Sequence, residues 1–331
     1  MISRPRVSIV IPTHNGAATL ADCLQSLRLL SLPPHEIIVV DDASSDSSAE
    51  IAHRYGCTVA RADRPIGAAQ AKNCGARSAT GEVLFFTDDD VVVAPDSLAW
   101  VAEDLARDGV AGVVGLLDRK IPFEDFSSNY KNLWMRFTYA RLPRERIGVF
   151  YTSVAAIRRD LFLRLGGFDE NFTGASIGED TEFGQRAWTA GCRLIVDDRI
   201  VVRHSKRYTP AQVLRTDFQR ARALTLMRLR KWGRPFFTSV PAFYQFAVPT
   251  LFAGILCLVL GALFLNAIPL LLGVVLLGTF YGLNLPWLLF LANERGLSFA
   301  LRAALMQPVD AAAVGAGMVT ALFEYARGTK Y

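Results

Sequence analysis

Apolar residues follow two rhythms along the first part of the chain. Short runs rich in apolar and β-preferring residues at Val7–Ile11, Glu36–Val40, Thr58–Ala62, Val83–Thr87 and Val110–Leu117 read as strands, several of them buried on both faces as in a parallel sheet. Between them the spacing changes. Leu20, Leu24, Leu27 and Leu30 recur at helical intervals, predicting a helix over 17–30 that Pro33-Pro34 ends. Ser44-Ser45-Asp46 supplies capping chemistry for a second helix, and a third falls over 67–79. Strand alternating with helix implies right-handed βαβ units in a Rossmann-like, mostly parallel sheet. Farther on, a helix is expected over 181–190, then closing strands at Cys192–Val196 and Ile200–Arg203. Residues 123–141 carry Phe123, Phe126, Tyr130, Trp134, Phe137 and Tyr139, fitting either a packed amphipathic helix or an apolar wall near an acceptor or a membrane.

From residue 236 to 292 the charged positions vanish. Tyr244–Leu265 and Ala267–Ala292 are uncharged and long enough to span a bilayer, with Asn266 and Pro269 marking a hairpin between them. Ala303–Phe323 is rich in Ala and Gly but contains Gln307, Pro308 and Asp310; it fits a third span or an interfacial segment, and the third span is favoured. Gly315 and Gly317 suit close helix packing. Before the hairpin, residues 212–231 form an amphipathic helix with Arg215, Arg220, Arg222, Arg228, Arg230 and Lys231, as an interfacial helix on anionic headgroups would.

Composition sharpens this division. Of 331 residues, 51% are hydrophobic, and the excess lies in 236–292, while 1–235 resembles an ordinary α/β protein. The expected organisation is a catalytic domain at 1–208, a basic interfacial helix at 209–235 and a membrane region at 236–331. The net charge of +5 gathers beside the spans rather than along a groove, which argues against nucleic acid as a partner. Positive charge before 236 and at Arg295 and Arg302 puts both ends of the hairpin in the cytoplasm, with the catalytic domain facing it from the inner membrane. Val7–Ile11 is too short for a signal peptide core. The five cysteines are scattered, without a Cys-x-x-Cys pair, and fit a reducing compartment.

Three strands end in polar clusters on one sheet edge: Thr13-His14-Asn15, Asp41-Asp42 and Asp88-Asp89-Asp90. Ligands of open α/β sheets bind beyond the carboxyl ends of strands, so the three make a crevice. The Asp triplet repels itself unless a cation is present, and oxygen ligands suit Mg²⁺ or Mn²⁺. Asp88 and Asp90, two apart, share a side of an extended segment. A solvated acidic turn is the alternative. No Gly-x-Gly-x-x-Gly follows the first strand and no Walker A motif occurs, disfavouring dinucleotide and P-loop sites.

Val-Ser-Ile-Val-Ile-Pro-Thr-His-Asn, Ile-Ile-Val-Val-Asp-Asp-Ala-Ser-Ser-Asp, Gly-Glu-Val-Leu-Phe-Phe-Thr-Asp-Asp-Asp, and Gly166-Gly167-Phe168-Asp169-Glu170 followed by Gly178-Glu179-Asp180 occur in that order. In this the chain resembles the family 2 inverting nucleotide-sugar glycosyltransferases of the GT-A fold, over roughly 5–205. The resemblance implies a nucleotide held by Pro12, Thr13 and Asn15, a base read by Asp41 or Asp42, and Lys72 near the diphosphate. It implies a metal site at Asp90, with Asp88 on the ribose or the metal, Asp89 in the nucleotide-binding set, and His204 as a further ligand. It places the catalytic base at Asp180, with Glu179 orienting acceptor hydroxyls. The bland readings are a solvated helix face for Lys72, a structural imidazole for His204 and helix-capping acids for Glu179 and Asp180.

The expected activity is metal-dependent transfer of a sugar from a UDP-linked donor to a hydroxyl of a lipid-linked saccharide or other envelope glycan, with membrane lipids as further partners. The Glu-Asp pair tilts toward a hydroxyl, because an anionic acceptor needs no base. Relatives that build long polymers carry Gln-x-x-Arg-Trp near the basic helix; here Gln219-Arg220-Ala221-Arg222-Ala223 has Ala in place of Trp, which weighs against processive synthesis. A polyprenyl-phosphate sugar transferase and a catalytically inactive membrane scaffold are the alternatives.

Overall fold

The computed structural model describes residues 5–172, 178–231 and 233–328. The chain runs through β1 (Val7–Thr13), α1 (Leu20–Arg28), β2 (Glu36–Asp41), α2 (Ser48–Arg54), β3 (Thr58–Arg61), α3 (Ala68–Ser78), β4 (Val83–Thr87), β5 (Val91–Val93), α4 (Ser97–Ala106), β6 (Val110–Leu117), α5 (Phe126–Ala140), β7 (Val154–Arg158), α6 (Arg159–Arg164), α7 (Glu179–Thr189) and β8 (Arg193–His204). The helices α8 (Pro210–Arg230), α9 (Ala242–Leu263), α10 (Ala267–Arg295) and α11 (Leu297–Ala326) follow. The chain divides into two compact units, one of residues 1–123, 142–206 and 235–238, the other of 124–141, 207–234 and 239–331.

The first unit is built on one mixed sheet of order β3-β2-β1-β4-β7-β6-β8-β5. β1, β2, β3 and β4 are mutually parallel, as their helical crossovers require; β1 and β4 are buried on both faces, while β3 is a partly exposed edge strand. β7 runs antiparallel between β4 and β6. Its amino end therefore lies beside the carboxyl end of β4, so the residues leading into β7 reach the acidic edge. β8 is a single twelve-residue strand where two were expected; its pairing with β6 carries register shifts, and its end pairs antiparallel with β5. That pairing sets Val91 opposite His204.

Close packing fixes the helices on the sheet. A Cβ at Gly75 of α3 would come within 2.5 Å of Val10 Cγ1, so glycine lets α3 lie directly against β1. Asn73 on the same helix receives the Phe168 amide at Oδ1 and donates to the Phe168 carbonyl, clamping the Gly166-Gly167-Phe168 turn. Phe168 then joins Phe86, Phe150, Phe162 and Phe183 in an aromatic core of edge and tilted contacts, 5.0–6.3 Å between centroids.

The second unit is helical. The aromatic face of α5 belongs to it: Tyr130, Leu133 and Phe137 pack with Val213, Trp287, Leu291, Phe299 and Ala303. The 123–141 segment is thus a packed helix. α8 begins at a capping box in which Thr209 and Gln212 exchange side-chain and backbone hydrogen bonds, with Pro210 at the first turn. α11 is one continuous helix through Gln307, Pro308 and Asp310. A Cβ at Gly317 would sit 2.3 Å from the Phe218 carbonyl oxygen, and one at Gly315 2.3 Å from the Phe252 ring. Both glycines therefore mark close approach. α9, α10 and α11 are long and apolar enough to cross a bilayer. Among the described residues, the strongly exposed large hydrophobic side chains other than Leu29 all lie between Phe246 and Tyr325, the distribution a lipid-facing surface has and a water-facing one lacks. Inside this unit Lys131 pairs with Asp217, and Asp310 accepts hydrogen bonds from Tyr130 and Tyr244 at 3.3 and 3.2 Å.

Candidate functional site

The ends of β1, β2 and β4 are laced together. Thr13 Oγ1 donates to Asp89 Oδ2 at 2.5 Å, joining β1 to the acidic turn. Asn15, in the left-handed region at φ 55°, accepts the Ser45 amide at 2.8 Å, while its own amide donates to Ser44 Oγ. Asn tolerates that conformation better than most residues, which fits the turn seen in the sequence. The Gly16 amide donates to Ser48 Oγ at 2.9 Å, and a Cβ there would lie 2.1 Å from Asp89 Oδ2. Pro12 is partly exposed at the same edge. Asp41 is fully buried, receiving the Ser44 amide at 2.9 Å and lying 3.2 Å from Arg61 Nε. Asp42 caps the start of α3 by accepting the Ile66 and Gly67 amides at 2.5 and 2.9 Å. Both carboxylates thus serve internal donors.

The Asp triplet forms a turn after β4 rather than an extended run. Even so, ligand atoms of Asp88, Asp90 and His204 all lie within 4.8 Å of one another. The β5–β8 pairing delivers His204, and the Ser205 amide donates to the Asp90 carbonyl at 2.6 Å. His204 Nε2 is 3.0 Å from Asp90 Oδ1, an ion-pair separation, and that buried oxygen has no hydrogen-bond partner among the described residues. Burial raises the Asp90 carboxyl, but His204 and Lys206 outweigh it and hold the group below the usual carboxylate range. Burial, with the Asp90 and Asp88 charges, pushes the Asp89 carboxyl up to about 7 against the Thr13 hydrogen bond. Two carboxylates and an imidazole whose ligand atoms converge within 4.8 Å fit a divalent cation.

Lys72 is not a solvated helix residue. It is 4% exposed and donates to Glu179 Oε1 at 2.9 Å and Thr152 Oγ1 at 2.6 Å. Burial lowers the Lys72 ammonium, but Glu179, Asp88 and Asp180 together raise it above its ordinary value, so it stays charged. Glu179 is itself 3% exposed, and Asp180 beside it is half-buried, accepting the Thr181 amide at 2.6 Å. Ser153 Oγ donates to Asp88 Oδ2 at 2.5 Å. Thr152 and Ser153 went unnoticed in the sequence. Nothing in Tyr151-Thr152-Ser153 marks them until β7 is known to run antiparallel beside β4.

A mostly parallel sheet whose carboxyl edge gathers nucleotide-type turns and an Asp/Asp/His cluster is the GT-A class of glycosyltransferase fold. Residues 8–166 match the family model of Glycosyl transferase family 2. Validoxylamine A glucosyltransferase of Streptomyces hygroscopicus subsp. jinggangensis is 29% identical over 226 residues, 58% of this chain and 53% of that relative. The O-antigen chain rhamnosyltransferase RfbN of Salmonella typhimurium is 24% identical, over 65% of this chain and 70% of its own. The chain thus spans about half the length of the first relative and 70% of the second. The fold is shared with the mannosyltransferase PcManGT of Pyrobaculum calidifontis, solved with GDP-Man and Mn²⁺, at TM-score 0.58 and 23% identity over 98% of this chain and 88% of that one.

Proposed function

We propose that the protein is a membrane-anchored, divalent-metal-dependent inverting glycosyltransferase. It moves a sugar from a nucleoside-diphosphate donor, UDP-linked in our reading, to a hydroxyl of a lipid-linked saccharide or other envelope glycan. The observation that carries the reading is the convergence of Asp88, Asp90 and His204 at the carboxyl edge of the sheet, with Asp180 next in the chain to Glu179, which Lys72 holds at 2.9 Å. Pro12, Thr13 and Asn15 border the nucleotide, with Asp41 and Asp42 shaping the base pocket. Mg²⁺ or Mn²⁺ held by Asp88, Asp90 and His204 would offset the diphosphate charge and stabilise it as leaving group. Asp180 takes the proton of the acceptor hydroxyl as its oxygen attacks the anomeric carbon opposite the diphosphate, which inverts that centre. α9, α10 and α11 anchor the enzyme in the inner membrane, and the basic helix α8 lies at the cytoplasmic headgroups, so the domain meets cytoplasmic donor.

The test is donor hydrolysis and thermal stabilisation of the detergent-purified chain against a panel of nucleotide sugars, with and without Mn²⁺ or Mg²⁺, beside Asp90→Asn. A metal-dependent signal with one donor that Asp90→Asn abolishes supports the reading. A folded protein that neither binds nor hydrolyses any donor overturns it and favours a scaffold.

A further inference from the structure

Two functions of this site sit on different elements: the cation cluster on the turn after β4, and Asp180 on α7. Something must hold them in register, because misplacement by about 1 Å is enough to cost a reaction of this kind roughly 100-fold. We propose that Lys72 is a positioning residue that locks these halves together, through Glu179 on one side and the Thr152-Ser153 dipeptide on the other. The proposal rests on the catalytic reading above.

The connection is continuous. Lys72 Nζ holds Glu179 Oε1 at 2.9 Å, and Glu179 opens α7, one residue before Asp180. The same ammonium holds Thr152 Oγ1 at 2.6 Å. The next residue, Ser153, holds Asp88 Oδ2 at 2.5 Å, and its carbonyl accepts Thr87 Oγ1 at 3.1 Å, at the end of β4. Each side chain in this path is nine-tenths or more buried except Asp88. A buried ion pair of this kind contributes little net stability, since desolvation offsets its attraction; its use is to fix geometry. Glu179 is consumed on one oxygen by Lys72, while its buried Oε2 has no hydrogen-bond partner among the described residues. Ser153 fixes the rotation of the Asp88 carboxylate, the office that hydrogen bonds behind a metal ligand perform.

The arrangement separates two roles for Lys72. A lysine that met the donor diphosphate directly would, on removal, raise donor KM. A positioning lysine lowers kcat. The experiment uses the full chain in detergent with Ser153→Ala, Thr152→Val, Lys72→Met and Lys72→Arg. Mn²⁺ is titrated by intrinsic tryptophan fluorescence, and kcat and KM for donor turnover are measured separately, with a thermal melt of each variant. Ser153→Ala is expected to raise the half-saturating Mn²⁺ concentration about 10-fold with little change in melting temperature. Lys72→Met is expected to lower kcat about 100-fold at near-constant donor KM, with Thr152→Val intermediate and Lys72→Arg partly restoring kcat. Unchanged Mn²⁺ half-saturation in Ser153→Ala, or a Lys72→Met effect confined to KM, overturns the assignment. The Mn²⁺ titration needs no turnover, so it decides the Ser153 link even if the wild-type protein proves inactive, whereas that inactivity would count against the catalytic reading alone.

Discussion

At the scale of single residues, the site is a set of carboxylates held in unequal environments. Asp90 faces an imidazole and is kept ionised, Asp89 is buried and donor-bound, and Asp180 stands at the head of a helix. Asp180→Asn should lower kcat by about 100-fold or more, as loss of a general base does, while Mn²⁺-induced stabilisation stays at the wild-type level. Retained turnover would instead favour an anionic acceptor such as polyprenyl phosphate. Gly16→Ala places a methyl group 2.1 Å from Asp89 Oδ2 and 2.5 Å from Thr13 Oγ1. It should break the Thr13–Asp89 bond and cost about 1–3 kcal/mol by overpacking, read as a lower melting temperature with weaker donor binding. Asp41-Asp42 and Asp88-Asp89-Asp90 were legible in the sequence because each cluster ended an apolar run, and strand ends bind ligands in such sheets; Glu179 and Asp180 were reached only through the family resemblance. Ser153 was not legible, because a lone hydroxyl carries no pattern, and its role depends on which strand lies next to it. Lys72 was legible as a charge, but a sequence cannot tell a buried cation from a solvated one on a helix whose neighbours are unknown.

At the scale of elements, the parallel half of the sheet was readable from β1 to β4 with their crossovers: burial writes a continuous apolar run in β4 and nearly one in β1 and β2, and the partly exposed edge strand β3 was legible from its place between two helical segments. The antiparallel insertions were not. β5 has three residues, too few for any period, and β7 looks in sequence like any other short strand, since direction leaves no mark in composition. β8 appeared as two strands because Asp197-Asp198-Arg199 interrupts its apolar pattern. In the structure that interruption is an ionic junction: Arg199 pairs with Asp197 and with Glu103 of α4, and Asp104 of α4 faces Asp197. Burial, with the Asp197 carboxyl opposite, pushes Asp104 up to about 6. A carboxyl raised in the folded state binds its proton more tightly there than in the unfolded chain, so it withdraws stability as pH rises from its unfolded value through about 6. Asp104→Asn removes that penalty. The variant should melt near wild type around pH 4, gain on it as pH rises to about 6 and hold a constant margin above that, by differential scanning fluorimetry from pH 3.5 to 8; a margin that does not change across this range would show that the junction carries no extra proton.

At the scale of the whole molecule, the chain joins a sheet-based unit to a helical one that includes α5, drawn from the middle of the sequence. The spans were legible by length and charge alone, but the placement of α5 was not, since an aromatic helix fits water-soluble and membrane cores equally well. The helical unit also buries charge. Lys131→Met would leave Asp217 without its cation, and losing one partner of such a pair costs about 3–5 kcal/mol. The expected result is a clear fall in the melting temperature of the detergent-solubilised chain, recovered by adding Asp217→Leu. The order of the sheet has a further consequence, one of timing. The strands that carry Thr13, Asp41 and Asp88 are neighbours in the first ninety residues and can pair as soon as they leave the ribosome. His204 reaches Asp90 only when β8 pairs with β5, a contact spanning more than a hundred residues, and such distant closures form late. A nascent chain stalled before that point carries the acids without their histidine. On the proposed reading, a cation would meet its full set of ligands only once the sheet is complete.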